Sequence, residues 1–354
     1  MQRSRVRIAL VTDAWEPQLN GVVRTLRHTI EELRVRGHEV HRISPEQFRT
    51  VPCPSYPTIR LALWQDDAVH HKLTTLQAER VHIATEGPLG VAARNWCLEH
   101  RRRFTTSYHT QFPEYLRARW PIPRALTYAY LRWFHQPASR VMVATPSLKE
   151  TLGSRGFRRL ALWSRGVDTS LFRPVTARPS TDRPTFVYLG RVSVEKNVEA
   201  FLSLDLPGHK LVIGEGPALA TLKNKYPRVT FAGALHGETL AARLAASDVL
   251  VFPSLTDTFG LVMLEAMACG VPVAAFPVTG PKDVVLPGVT GCLDSDLRRA
   301  ALAALALNRE DCIAFAREFS WTSSTNDFLN LLTPTVRASR KQTTRFSNAV
   351  TISH

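Results

Sequence analysis

Apolar residues along this chain fall into short β-branched runs, separated by longer stretches in which apolar and polar positions recur at helical spacing. In the first half the runs at 6–12, 39–43, 81–85, 104–108, 141–145 and 160–164 predict strands, with helices around 25–36, 91–101, 124–135 and 147–154. The rhythm then restarts, with strands predicted at 185–189, 210–213, 229–232, 249–253 and 272–276. Short apolar runs alternating with helices give parallel sheets covered on both faces, and two such series give two doubly wound α/β domains. The stretch 165–184 carries Pro174, Pro179 and Pro184 and reads as an extended linker. The expected division is therefore 1–172 and 173–320, followed by a helix at 321–334 crossing back to the first domain and a basic tail at 335–354 too polar to pack.

Composition changes this picture in a few places. A length of 354 residues accommodates two cores, each of about 150 residues. No apolar run approaches the roughly 18 residues a bilayer span needs, so neither a leader nor an anchor is expected. The cysteines, Cys53, Cys97, Cys269, Cys292 and Cys312, are odd in number and contain no C-x-x-C pair, which suits buried thiols in a reducing cytoplasm and argues against zinc. His38 and His41 have no cysteine nearby and read as strand-flanking surface residues. The net charge of +15 is uneven: residues 1–170 hold 26 Lys and Arg against 14 Asp and Glu, and the remainder 19 against 16. A cationic first half suits anionic lipid, nucleic acid or a phosphorylated substrate without choosing among them.

In doubly wound sheets ligands collect where strand ends meet helix N-termini, so the candidate chemistry is sought there. The string SLTDTFGLVMLEAMACGVPVAAF, 254–276, follows a strand, turns through Asp257, Thr258 and Gly260, and continues as a helix that Gly270 ends. Asp257 stands at the helix mouth and Glu265 about two turns deeper, while the N–H groups near Phe259 and Gly260 suit an anion. Read in isolation, Asp257 or Thr258 is a helix cap and Glu265 a solvent-facing residue. In FVYLGRVSVEKNVEAFL, 186–202, Arg191 and Lys196 follow a buried strand and suit a leaving diphosphate, or form a solvated pair beside Glu195. Gly214 and Gly216 lie in a loop after the next strand; Gly21 and Val22 open the first helix; His109 ends a strand, a place where a lone histidine is usually structural.

Together these strings resemble glycosyltransferase family 4, whose acidic E-x(7)-E motif stands between P-S and E-A-x-A-x-G-x-P-V; here the first acid is Asp257, one methylene shorter. The resemblance covers roughly 5–334, including ATEGPLG, YLRWFH and GVDTSLF. It implies a two-domain GT-B fold and a retaining transfer from a nucleotide-sugar donor, with no metal or other cofactor. Arg191 and Lys196 would clamp the diphosphate, Asp257 and Glu265 would hold the sugar and the ribose, and Gly214 and Gly216 would lie near the base. Gly21 and Val22 would close on the donor, with Phe259 and Gly260 at the helix mouth and His109 against the transferred sugar. The strings resemble the subgroup containing GDP-mannose-dependent α-mannosyltransferases and the enzymes that make sulfoquinovosyl, glucosyl or glucuronosyl diacylglycerol, which do not share one donor. Asp294 and Asp296 form a D-x-D just before a predicted helix and are expected to cap it rather than bind a metal.

The acceptor is approached through charge. The cluster at 100–103 and the residues Arg117, Arg119, Trp120, Arg124, Tyr128, Tyr130, Arg132 and Trp133 mix cations with interfacial aromatics, which suits an anionic membrane surface. The expectation is a peripheral enzyme on the cytoplasmic face of the membrane with a lipid acceptor. The alternatives are a soluble sugar acceptor, a nucleotide-sugar epimerase, and a nucleic-acid-binding protein, for which no reading motif is present.

Overall fold

A computed structural model describes residues 5–18, 20–53, 56–111, 113, 114, 123–175 and 182–336, residues 56–59 in backbone only. The tail at 337–354 and the residues Arg117, Arg119 and Trp120 lie outside the described residues.

The first domain holds β1 (Arg7–Val11), α1 (Gly21–Val35), β2 (Glu39–Ile43), β3 (Val51–Cys53), β4 (Tyr56–Leu61), α2 (Asp66–Leu76), β5 (Arg80–Ile83), α3 (Pro88–Glu99), β6 (Thr105–Tyr108), α4 (Arg124–His135), β7 (Arg140–Val143), α5 (Pro146–Ser154) and β8 (Leu160–Leu162). The second holds β9 (Thr185–Leu189), α6 (Val198–Leu202), β10 (His209–Ile213), α7 (Leu219–Lys225), β11 (Thr230–Phe231), α8 (Gly237–Ala245), β12 (Val249–Phe252), α9 (Leu261–Ala268), β13 (Val273–Ala275), α10 (Pro281–Val284), β14 (Gly291–Leu293), α11 (Leu297–Ala304) and α12 (Arg309–Ala316). A last helix, α13 (Trp321–Leu331), follows.

Each domain is built on a six-stranded sheet, in the order β2-β1-β5-β6-β7-β8 and β11-β10-β9-β12-β13-β14. All neighbours within these two sheets run parallel. Burial on both faces explains the unbroken apolar runs: Ile8 to Val11 and Val249 to Phe252 have no exposed member. The order reverses between β1 and β5 and between β9 and β12, and a ligand crevice opens at such a switch point.

The sequence pattern missed three elements. The β3-β4 hairpin is antiparallel and stands apart from the main sheet; Val51 and Pro52 are exposed, so no apolar run announces it. Helix α2 buries only Val69 and Leu73. Strand β14 is three residues long and pairs with β13. The expected linker is also corrected. Val167 N–H donates to the Phe319 carbonyl at 2.9 Å, and Phe172 is buried among apolar residues of the second domain, so 167–172 is packed rather than extended. Helix α13 returns to the first domain, where Phe328 is buried beside Ile8 and Leu10, and Trp321 stacks on His28 with ring centroids 4.7 Å apart.

Candidate active site

The second crevice is formed by the loops that leave β9 and β12. After β9 the chain passes Gly190 and Arg191 and makes a 3-10 turn, Val194–Lys196. Asn197 donates from Nδ2 to the Pro253 carbonyl at 3.1 Å, and Thr256 Oγ1 donates to the Glu195 carbonyl at 3.3 Å, so the two loops are tied together. Lys196 Nζ reaches Asp257 Oδ1 at 2.5 Å, with about a fifth of each side chain exposed. The other oxygen, Asp257 Oδ2, is buried with no partner.

Helix α9 begins beside this pair. Gly260 sits at φ 85°, and a Cβ there would meet Met263 Cε at 2.7 Å, so glycine alone lets the chain turn into the helix at this spacing. The helix is buried on every side against β12 and α12, which accounts for its run of apolar residues. Glu265 is the exception, a carboxylate 3% exposed in that apolar setting. Its Oε1 is held by Arg24 of α1, and its Oε2 has no partner. Phe259 turns its side chain into the core. Gly214 is required by close approach, since a Cβ would lie 1.9 Å from the Gly190 carbonyl oxygen, and Val192 N–H donates to Glu215 O at 2.9 Å. Gly216 likewise lies against the Val192 carbonyl. The loop containing Gly214 and Gly216 thus braces the one that carries Arg191.

The first domain closes over these loops. A Cβ on Gly21 would lie 3.7 Å from Leu261 Cδ1. Asn20 caps α1, its side chain accepting from the N–H groups of Val22 and Val23 at 3.0 Å. The Val22 N–H is therefore committed within its own helix cap. Thr258 Oγ1 donates to the His109 carbonyl at 2.7 Å, Gln111 Nε2 to the Asp257 carbonyl at 3.4 Å and Thr145 Oγ1 to the Thr258 carbonyl at 3.4 Å. Further along the cleft, Ser147 N–H donates to Asp283 Oδ1 at 2.9 Å.

His109 meets the donor loop through its carbonyl. Its ring nitrogens face Ser107 Oγ at 2.8 Å and Arg165 Nη2 at 3.3 Å. A guanidinium only donates, so Nδ1 accepts and the proton sits on Nε2. Burial, together with the Arg165 charge, holds this imidazole well below its ordinary pKa. A ring so placed is neutral and fixed in orientation. Arg165 itself is 4% exposed, and burial brings its pKa down to about 9.

Sequence reasoning did not find Arg24, Arg165 or Asp13. Asp13 accepts from Leu89 N–H at 2.8 Å and from Thr85 Oγ1 at 2.8 Å at the start of α3, and burial raises its pKa to about 6. Nothing in the local pattern around any of the three names its partner. Asp296 caps α11 as expected, accepting from Arg298 and Arg299 N–H. Among the described residues no three His, Cys, Asp or Glu side chains converge as a metal site.

Two Rossmann-like domains facing a cleft, with a cation and two carboxylates at the second switch point, define the GT-B class of glycosyltransferases. Residues 19–171 match the family described as Glycosyltransferase Family 4, and residues 183–309 match Glycosyl transferases group 1. The chain belongs to glycosyltransferase family 4 and is a hexosyltransferase. It is similar to a GDP-mannose-dependent alpha-mannosyltransferase of Mycolicibacterium smegmatis, 32% identical over 84% of this chain and 87% of that one. It is also similar to an alpha-monoglucosyldiacylglycerol synthase of Streptococcus pneumoniae, 25% identical over 85% of this chain and 78% of that one. In fold it resembles the sucrose-phosphate synthase of Thermosynechococcus elongatus, with a TM-score of 0.73 at 23% identity, covering 92% of this chain and 98% of that one.

Proposed function

We propose that the enzyme transfers a hexose, with retention of configuration, from GDP-mannose or a UDP-hexose to a membrane lipid, working as a peripheral protein on the cytoplasmic face of the membrane. The second domain, 173–320, holds the donor and the first, 1–172, receives the acceptor. One observation carries the donor half of this reading. Asp257 Oδ2 and Glu265 Oε2 are buried carboxylate oxygens without partners at the switch-point crevice, one of them on the carboxylate that holds Lys196. A buried acceptor left unpaired costs about 1–3 kcal/mol or more, and the hydroxyls of a hexose and a ribose are donors of the required kind. Arg191 and Lys196 then neutralise the charge that grows on the leaving diphosphate. Asp257 and Glu265 serve binding in this scheme, so the departing phosphate oxygen takes the acceptor proton on the face it leaves. The same two cations make a divalent metal unnecessary.

The lipid acceptor is supported by the names of similar proteins, among them the alpha-monoglucosyldiacylglycerol synthase above, and by α4. Leu126, Tyr130 and Trp133 lie exposed on one face of that helix, flanked by Arg124 and Arg132. Tyr128, counted among the interfacial aromatics from sequence, is instead buried at 5%. Among the described residues no helix is long and apolar enough to cross a membrane. The test is thermal stabilisation by a panel of GDP- and UDP-sugars, followed by transfer assays with EDTA present. One donor should raise the melting temperature, and diacylglycerol, phosphatidylinositol or polyprenyl phosphate in phosphatidylglycerol vesicles should accept its sugar. Efficient transfer to a soluble sugar with indifference to anionic lipid would overturn the lipid acceptor, and a strict Mn²⁺ or Mg²⁺ requirement would overturn the metal-free scheme.

A further inference from the structure

Arg24 reaches the donor crevice from the opposite domain. It lies in the first turn of α1, a turn that contains no acid. The N-terminal end of a helix favours negative charge, so a guanidinium there works against the helix dipole. Its side chain crosses the cleft to Glu265 Oε1, and the two ends of the contact differ in exposure: 32% for Arg24 and 4% for Glu265. The guanidinium has five N–H donors in a planar fork, and it is Nη2 that meets the carboxylate. Its other N–H groups belong to the more exposed partner of the pair. The charges point the same way. Arg191 and Lys196 are outnumbered by Glu195, Asp257 and Glu265, so these five side chains do not attract an anion, and Arg24 brings the group to neutrality.

We infer that Arg24 is a positioning residue for the donor diphosphate, supplied by the first domain. It stays paired with Glu265 through one edge and offers the other to a phosphate oxygen, as the guanidinium fork does in bidentate recognition. Glu265 thereby serves two ends: Oε2 takes a ribose hydroxyl and Oε1 orients Arg24. A donor bound to the second domain completes a bridge to α1, and the cleft closes on a nucleoside diphosphate and not on a nucleoside. This rests on the donor-site reading above.

Calorimetric titration of the full chain separates the two. Wild type, Arg24→Ala, Arg24→Lys, Glu265→Gln and the Arg24→Ala/Glu265→Gln double variant are titrated with GDP and UDP and with guanosine and uridine. For the diphosphate that binds wild type, Arg24→Ala is expected to weaken affinity by about tenfold or more, the scale of losing one charge-assisted bond, and Arg24→Lys by about threefold or less. Affinity for the matching nucleoside should change by less than about twofold, and Arg24→Ala should still weaken the diphosphate in the Glu265→Gln background. Arg24→Ala binding the diphosphate as well as wild type, or losing nucleoside and diphosphate equally, would overturn the inference and leave the donor site standing. Wild type that binds neither GDP nor UDP would overturn both.

Discussion

At the scale of single residues, the cleft sets one buried and one half-buried carboxylate beside cations, and each partner has a separable effect. Lys196 lies 2.5 Å from Asp257, so Lys196→Ala removes a charge from the leaving group and also strands an acid. Arg191→Ala removes the second cation. Both variants should lower turnover by at least about tenfold, equivalent to about 1.4 kcal/mol of transition-state stabilisation; steady-state rates near wild type in both would remove the clamp from the scheme. Glu265→Gln keeps the size of the side chain and loses the charge, so donor affinity measured by calorimetry should fall, and unchanged affinity would reduce Glu265 to a buried partner of Arg24. The carboxylates were legible in the sequence because a short loop and one helix carry both, and their neighbours form a recognisable string. Arg24 was not legible, because its partner lies 241 positions away and only the packing of two domains brings them together. The ring of His109 shows the same limit. Its place at a strand end was readable, but its commitment to Ser107 and Arg165 depends on a residue 56 positions downstream.

At the scale of elements, the parallel strands were readable because burial on both faces makes them continuous apolar runs, while β14, with three residues, and the exposed β3-β4 hairpin gave no such signal. Helix α4 was predicted with its observed bounds, and its two faces explain why. Thr127, Tyr128, Leu131, Phe134 and His135 are buried. Leu126, Tyr130 and Trp133, spaced four and three residues apart, are 65%, 41% and 44% exposed. Trp133 is not loose: the Arg94 guanidinium stacks over its ring at 3.9 Å, and Tyr130 lies 5.7 Å away, centroid to centroid. A braced, exposed aromatic pair loses little side-chain freedom on entering a lipid interface. Replacing Leu126 and Trp133 together by Ser should lower the melting temperature by only a few degrees, the scale of losing the Arg94 stacking contact, because neither side chain is core. Binding to phosphatidylglycerol vesicles in co-sedimentation should fall by about tenfold or more, on the scale of losing two buried apolar side chains. Full retention of vesicle binding would move any membrane contact away from α4.

At the scale of the whole molecule, the buried histidines set a dependence of stability on pH. Burial is the first cause in each case: it lowers His28 to about 4 and His82 to about 3, and holds His109 well below its ordinary value. Nearby guanidiniums act in the same direction, Arg27 and Arg24 on His28 and Arg165 on His82 and His109. Unfolding returns each ring to about 6.5. Below that pH the unfolded chain binds protons that the folded chain refuses, so stability falls as pH falls. Asp13 opposes this. Its carboxyl is raised to about 6 by burial, so between about 6 and 4 the folded chain keeps a proton that the unfolded chain releases, and acidification favours folding through this group. Each group contributes at most about 1.4 kcal/mol per pH unit, and three histidines outweigh one aspartate. The urea midpoint should therefore be clearly lower at pH 5 than at pH 7. In His82→Gln, whose wild-type ring lies between Thr105 and Ser107 in the first domain, the difference should shrink by about one proton's share. A midpoint equal or higher at pH 5 would mean that the raised carboxyl of Asp13, rather than the histidines, governs acid stability in this chain.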